Sequence, residues 1–195
     1  NGYYFLANYF LKKNDLNSAE NYYHKSLNKN AEIDYLLLEI GNFYYIQNDL
    51  EKALNYYNKA LKLNSNSFVL LNNIGLVYLA LNQFENAISF FSKSLQINQN
   101  YINALINRSV CFNKLNNYND AIKDCKKIIK LDSKFASAYN NLGWAYHIKG
   151  NNEKAITNYK IALELQPNYL DTINNLGGAY FNLGDKKLAA EYFKK

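Results

Sequence analysis

Apolar residues fall three or four places apart in two successive blocks, and the pair of blocks recurs along the whole chain. Between Phe68 and Tyr101 the first block holds Leu71, Ile74, Tyr78 and Leu81, and the second holds Phe84, Ile88, Phe91 and Leu95. That spacing belongs to an amphipathic helix and not to a strand, so each pair of blocks predicts two helices. The recurrence has a fixed step. Moving 34 places at a time from Ala155 reaches Ala19, Ala53, Ala87, Ala121 and Ala189 with no gap. The same step from Gly143 gives Ala7, Gly41, Gly75, Ser109 and Gly177, and from Tyr146 gives Phe10, Tyr44, Tyr78, Phe112 and Tyr180. A constant period of roughly 20–50 residues marks a stacked-repeat architecture.

The turn inside each repeat is written in Asn48-Asp49, Asn82-Gln83, Asn116-Asn117, Gly150-Asn151 and Gly184-Asp185. The first residue of each pair tolerates the left-handed conformation that ends a helix, and the second, except Gln83, is a good N-cap for the next. Gly143 and Ala155 are expected to let the two helices approach, with Leu142, Tyr146 and Tyr159 filling the space beside them. Pro167, the only proline, follows a second helix and stops it. The recurring pairs Tyr22-Tyr23, Tyr56-Tyr57 and Phe90-Phe91 are expected to pack within and between repeats. One hairpin leaves an apolar face open, so neighbours must stack to bury it. The prediction is an all-α, right-handed superhelical α-solenoid of helix-turn-helix repeats. It forms a single array over 1–195, with repeats at 1–33, 34–67, 68–101, 102–135, 136–169 and a shortened 170–195.

Tyr139, Leu142, Gly143, Tyr146, Ala155, Tyr159, Ala162 and Pro167 together resemble the tetratricopeptide repeat, and the resemblance runs along the whole chain. It implies a scaffold that binds a peptide or a segment of a partner protein in a concave groove lined by the first helices. The place before Leu142 faces away from the partner helix, and its equivalents are Glu39, Asn73, Asn107, Asn141 and Asn175. Asn72, Asn140 and Asn174 adjoin three of these, and Asn103, Asn113 and His147 lie along the same faces. An amide both donates and accepts, so such a ladder suits a peptide backbone of any sequence. Trp144, Leu76, Val110 and Tyr45 are expected to offer apolar pockets for anchoring side chains. A similar asparagine ladder occurs in the repeat region of O-linked N-acetylglucosamine transferases.

The fourth repeat differs. Asn107-Arg108-Ser109, Lys114-Leu115 and Asp124-Cys125 resemble co-chaperone repeats that clamp the acidic tail of large chaperones. The flanking places hold Asn72, Leu76, Ser137 and Asn141 instead of the cations of that clamp, which argues against the same ligand. Arg108 stands where other repeats place Leu or Ile, and its expected partner is Asp124 in a structural ion pair.

A formal charge of +6 rests on scattered lysines and a single arginine, a poor basis for nucleic-acid recognition. The cluster Lys123, Lys126, Lys127 and Lys130 reads as a solvated convex face. Cys111 and Cys125 form no CxxC, and His24 and His147 have no acidic or cysteine companions at metal spacing, so neither disulfide framework, metal nor cofactor is expected. The reduced thiols point to an intracellular, cytoplasmic setting. No apolar run reaches the roughly 20 residues of a membrane span. No nucleophile, base and orienting group converge, so no catalysis is expected. The other readings are a substrate-recruiting arm of a larger enzyme, such as a sugar transferase, or a structural subunit of a large assembly. Both ends of the chain stop inside repeats, and the exposed last helix, with Tyr192 and Phe193, is expected to favour self-association.

Overall fold

The apolar periodicity is realised entirely as helix. The computed structural model describes residues 2–29 and 33–195, and among these it contains twelve helices and no strand. The start of the first repeat at Asn1 lies outside the described residues. The chain divides into two units, Asn1–Asn82 and Gln83–Lys195. The first unit carries α1 (Gly2–Lys12), α2 (Leu16–Leu27), α3 (Ile33–Ile46), α4 (Leu50–Leu63) and α5 (Phe68–Ala80). The second carries α6 (Phe84–Ile97), α7 (Ile102–Lys114), α8 (Tyr118–Leu131), α9 (Ala136–Ile148), α10 (Asn152–Leu165), α11 (Leu170–Leu183) and α12 (Lys186–Phe193).

Within the first unit α1 packs on α2 and α3 on α4, and α3 also meets α5. Within the second, α7 pairs with α8, α9 with α10 and α11 with α12, while the first helices α7, α9 and α11 touch in succession. Each pairing buries the face that the periodicity marks. Ala19, Ala53, Ala121 and Ala155 are all 0% exposed, so no larger side chain fits where these second helices cross their partners.

The predicted turn residues do what their chemistry allows. Asn48, Asn82, Asn116, Gly150 and Gly184 all have positive φ, and Asn14 joins them in the first repeat. Asp15, Asp49, Asn151 and Asp185 each accept the backbone N–H three residues on. Gln83 makes no such cap. Asn117 departs from expectation: its amide donates to the Asp120 carboxylate at 2.7 Å and no backbone N–H is capped. Ser67, after the fourth helix, caps α5 by accepting from Leu70 N–H at 3.3 Å.

The small residues of the first helices have a more specific role than letting two backbones approach. A Cβ added at Gly41 would stand 2.4 Å from the Tyr57 ring, and one at Gly143 would stand 2.6 Å from the Tyr159 ring. Gly177 bears the same relation to Phe193 at 2.7 Å. Each glycine is a seat for an aromatic ring 16 places later. Where the fourth repeat puts Cys125 in the ring's place, Ser109 replaces the glycine, and both are fully buried. Phe193 is thus partly seated, although 55% exposed, and Tyr192 stacks on Tyr180 with ring planes 17° apart.

Candidate peptide groove

The polar residues on the first helices are built into bonds between repeats. In the first unit the Asn42 side-chain oxygen accepts both the Tyr57 hydroxyl at 2.8 Å and the Asn73 amide at 2.9 Å. Asn8 accepts the Tyr23 hydroxyl in the same way at 2.7 Å. In the second unit Asn140, 7% exposed, accepts from the Thr172 hydroxyl at 3.0 Å and the Asn175 amide at 3.1 Å. Asn141 donates to Ser109 Oγ at 3.4 Å and receives Asn113 at its backbone carbonyl at 3.3 Å. The ladder amides Asn73, Asn141 and Asn175 therefore each commit one donor to the preceding repeat. Asn140 holds this seam instead of standing open, and Asn72, also buried, donates to the Asn73 side-chain oxygen at 3.3 Å.

A groove of about 540 Å³ runs over α7, α9 and α11 in the second unit. It brings Asn140, Asn141, Asn174, Asn175 and Trp144 together, with Val110 and Ile148 as apolar walls and Lys114 and Asp171 as its charged members. Asn107, Asn103 and His147 are not part of its lining. Asn103 is exposed and donates to the Tyr101 hydroxyl at 3.4 Å. His147 is held between the Asn152 side-chain oxygen, 2.9 Å from Nδ1, and the Asn182 amide, 3.4 Å from Nε2. In the first unit, Asn73 lines a hollow of about 320 Å³ with Glu39, Asn42, Tyr45, Ile46, Tyr57 and Leu76. Burial there raises the Glu39 carboxyl above the ordinary carboxylate range, partly offset by the Asn42 amide.

Sequence reasoning missed Asn8 and Asn42. Their signal is the 15-place spacing to Tyr23 and Tyr57, which repeats once and then lapses when Leu76 and Val110 take over.

The remaining polar residues are structural. Arg108 donates from Nε and Nη2 to both Asp124 oxygens at 2.8 Å, donates from Nη1 to Ser92 Oγ at 2.9 Å, and lies over the Phe112 ring. The expected ion pair is present. The equivalents of Phe112 and Asp124 in the first two repeats are stacked rings, Phe10 on Tyr22 and Tyr44 on Tyr56. Lys123 and Lys127 border a cleft of about 370 Å³ beside the pair, and Lys127 donates to the Gln99 carbonyl at 2.6 Å. His24 does have an acidic neighbour, Glu20 at 3.9 Å. Among the described residues no group of three potential metal ligands occurs, and no helix is long and apolar enough to cross a membrane. Cys111 and Cys125 are free and buried, and burial pushes each thiol up to about 12.

No curated protein matches the chain. Among solved structures, the MamA protein aligns with a TM-score of 0.73 at 25% identity, over 85% of this chain and 90% of that one. A tetratricopeptide repeat protein from Parabacteroides merdae ATCC 43184 aligns with a TM-score of 0.85 at 24% identity, over 96% and 75%. YrrB, described as a tetratricopeptide repeat protein with an unusual peptide-binding site, aligns with a TM-score of 0.71 at 22% identity, over 88% and 89%. Family models for the TPR repeat match residues 41–82 and 143–184, and those for the tetratricopeptide repeat match 68–101, 102–135 and 125–157. These matches run without a break from 41 to 184 and fall on the predicted hairpins, so the chain belongs to the tetratricopeptide repeat family.

Proposed function

We infer that the chain is a protein-interaction scaffold whose groove over α7, α9 and α11 holds an extended segment of a partner protein. The observation that carries this reading is the convergence of Asn141, Asn174 and Asn175 with Trp144, Val110 and Ile148 on one concave surface. Amides there retain acceptors and a second donor for a peptide backbone, while the apolar walls select side chains. Asn107 continues the same ladder in sequence within the second unit, and Asn73 is its counterpart in the first.

The groove's opposed charges, Lys114 and Asp171, leave it close to neutral, so capture depends little on ionic strength. The test is partner capture by the full chain against the variant Asn107→Ala/Asn141→Ala/Asn175→Ala. Loss of capture with unchanged helicity by circular dichroism supports the reading, and retained capture moves the interface elsewhere.

A further inference from the structure

Two local rules of the repeat are broken at equivalent places of α9 and α11, two of the helices that line this groove. The first concerns Tyr159. Tyr23 and Tyr57 give their hydroxyl protons to Asn8 and Asn42, each 15 places earlier. Fifteen places before Tyr159 stands Trp144. An indole has a donor and no acceptor, so it cannot take that proton. The Tyr159 hydroxyl is accordingly buried with no partner, in a residue that is 0% exposed. Trp144, the sole tryptophan, is meanwhile 37% exposed in the groove wall.

The second concerns Gly178, the equivalent place one repeat on. It lies inside α11, where glycine weakens a helix. Its neighbour Gly177 is required by the Phe193 ring, but a Cβ on Gly178 would meet nothing within 4 Å. Packing gives no reason for the missing side chain. The bonds Asn140–Asn175 and His147–Asn182 tie α9 to α11 on either side of these two residues. They therefore fix Trp144 and Gly178 as facing rungs.

Departures from local consistency that packing does not require concentrate at functional sites. We propose that Trp144 and Gly178 form an anchor notch that receives one bulky apolar side chain, aromatic or leucine-sized, from the extended partner segment. Trp144 supplies the wall, Ile148 (43% exposed) borders it one turn on, and the absent side chain of Gly178 supplies the room. The amides on either side hold the partner's backbone. This proposal rests on the groove reading, which a separate variant tests.

The experiment pans short random peptides displayed on phage against the full chain, then titrates the selected peptides while recording Trp144 fluorescence. Selected peptides are expected to share one bulky apolar residue and to shift the indole emission. They should bind Gly178→Leu about tenfold or more weakly, while that variant keeps or raises the melting temperature. A selection without a shared apolar residue, unmoved emission, or equal affinity for Gly178→Leu overturns the notch. Asn141→Ala/Asn175→Ala separates the two readings: peptides that still bind it overturn the groove itself, and peptides that lose it while binding Gly178→Leu normally overturn the notch alone. Tyr159→Phe is expected to raise the melting temperature and leave peptide affinity unchanged; a lowered melting temperature would mean the hydroxyl is partnered, which removes the ground for the proposal.

Discussion

Arg108 shows how a single residue can replace a packing motif. In most repeats the slot holds an aliphatic residue beside a pair of stacked rings, whereas here a guanidinium lies over Phe112 and grips Asp124, which is 3% exposed. Two charges taken out of water are worth little as a pair, yet removing one strands the other. Asp124→Leu should therefore destabilise the chain by roughly 3 kcal/mol in urea unfolding. The double variant Arg108→Leu/Asp124→Tyr, which restores the residue types of the first repeat (Leu6 and Tyr22), should be near neutral or more stable. An Asp124→Leu variant as stable as the parent would mean that Arg108 swings free to solvent. This pair was legible in the sequence because an arginine interrupted an otherwise apolar register. The third partner, Ser92 on α6, was not, since one serine among many carries no signal of its own.

At the scale of the helix, the step of 34 residues placed every hairpin, and the turn residues followed from the left-handed conformation each had to adopt. What the pattern could not distinguish was one glycine from another. Gly143 seats the fully buried ring of Tyr159, and a methyl group there has to displace that ring. Gly143→Ala should cost about 1–3 kcal/mol as overpacking. Gly178→Ala, with nothing in its way, should gain about 0.5–1 kcal/mol from helix propensity alone. Thermal unfolding of the two variants reads the difference in sign, and two shifts of the same direction would contradict the seat. The site was legible to a similar degree. The ladder of asparagines was visible as a register, but its members look alike in sequence while the structure assigns them different work. Asn140 is a buried brace, Asn174 is exposed, and Asn107 stands outside the groove lining, because inter-repeat contacts and not residue type decide which amide is turned outward.

Across the whole molecule, acidic and basic residues balance within 1–82, and the net charge of +6 resides entirely in 83–195. Because this charge is carried mainly by lysines on exposed faces, it governs solubility and weak association more than the fold. The pH response of the fold has a different source, the phenols and thiols that the seats bury. Burial pushes the Cys111 and Cys125 thiols and the Tyr23 hydroxyl up to about 12, and raises Tyr57 and Tyr159 in the same direction. In the unfolded chain thiols lose their protons near 8.5 and phenols near 10, to use their approximate ordinary values. Between those values and the folded ones the unfolded chain holds fewer protons than the native one, so unfolding is favoured as pH rises. The stabilisation these groups give is complete below about pH 8 and is lost progressively towards about pH 12. Circular-dichroism melts should show a melting temperature insensitive to these groups at neutral pH that declines steadily above about pH 9, with a thiol reagent reacting only as the helices melt. A melting temperature that holds constant to about pH 11, or thiols that react in the folded chain, would mean that the ring seats admit water.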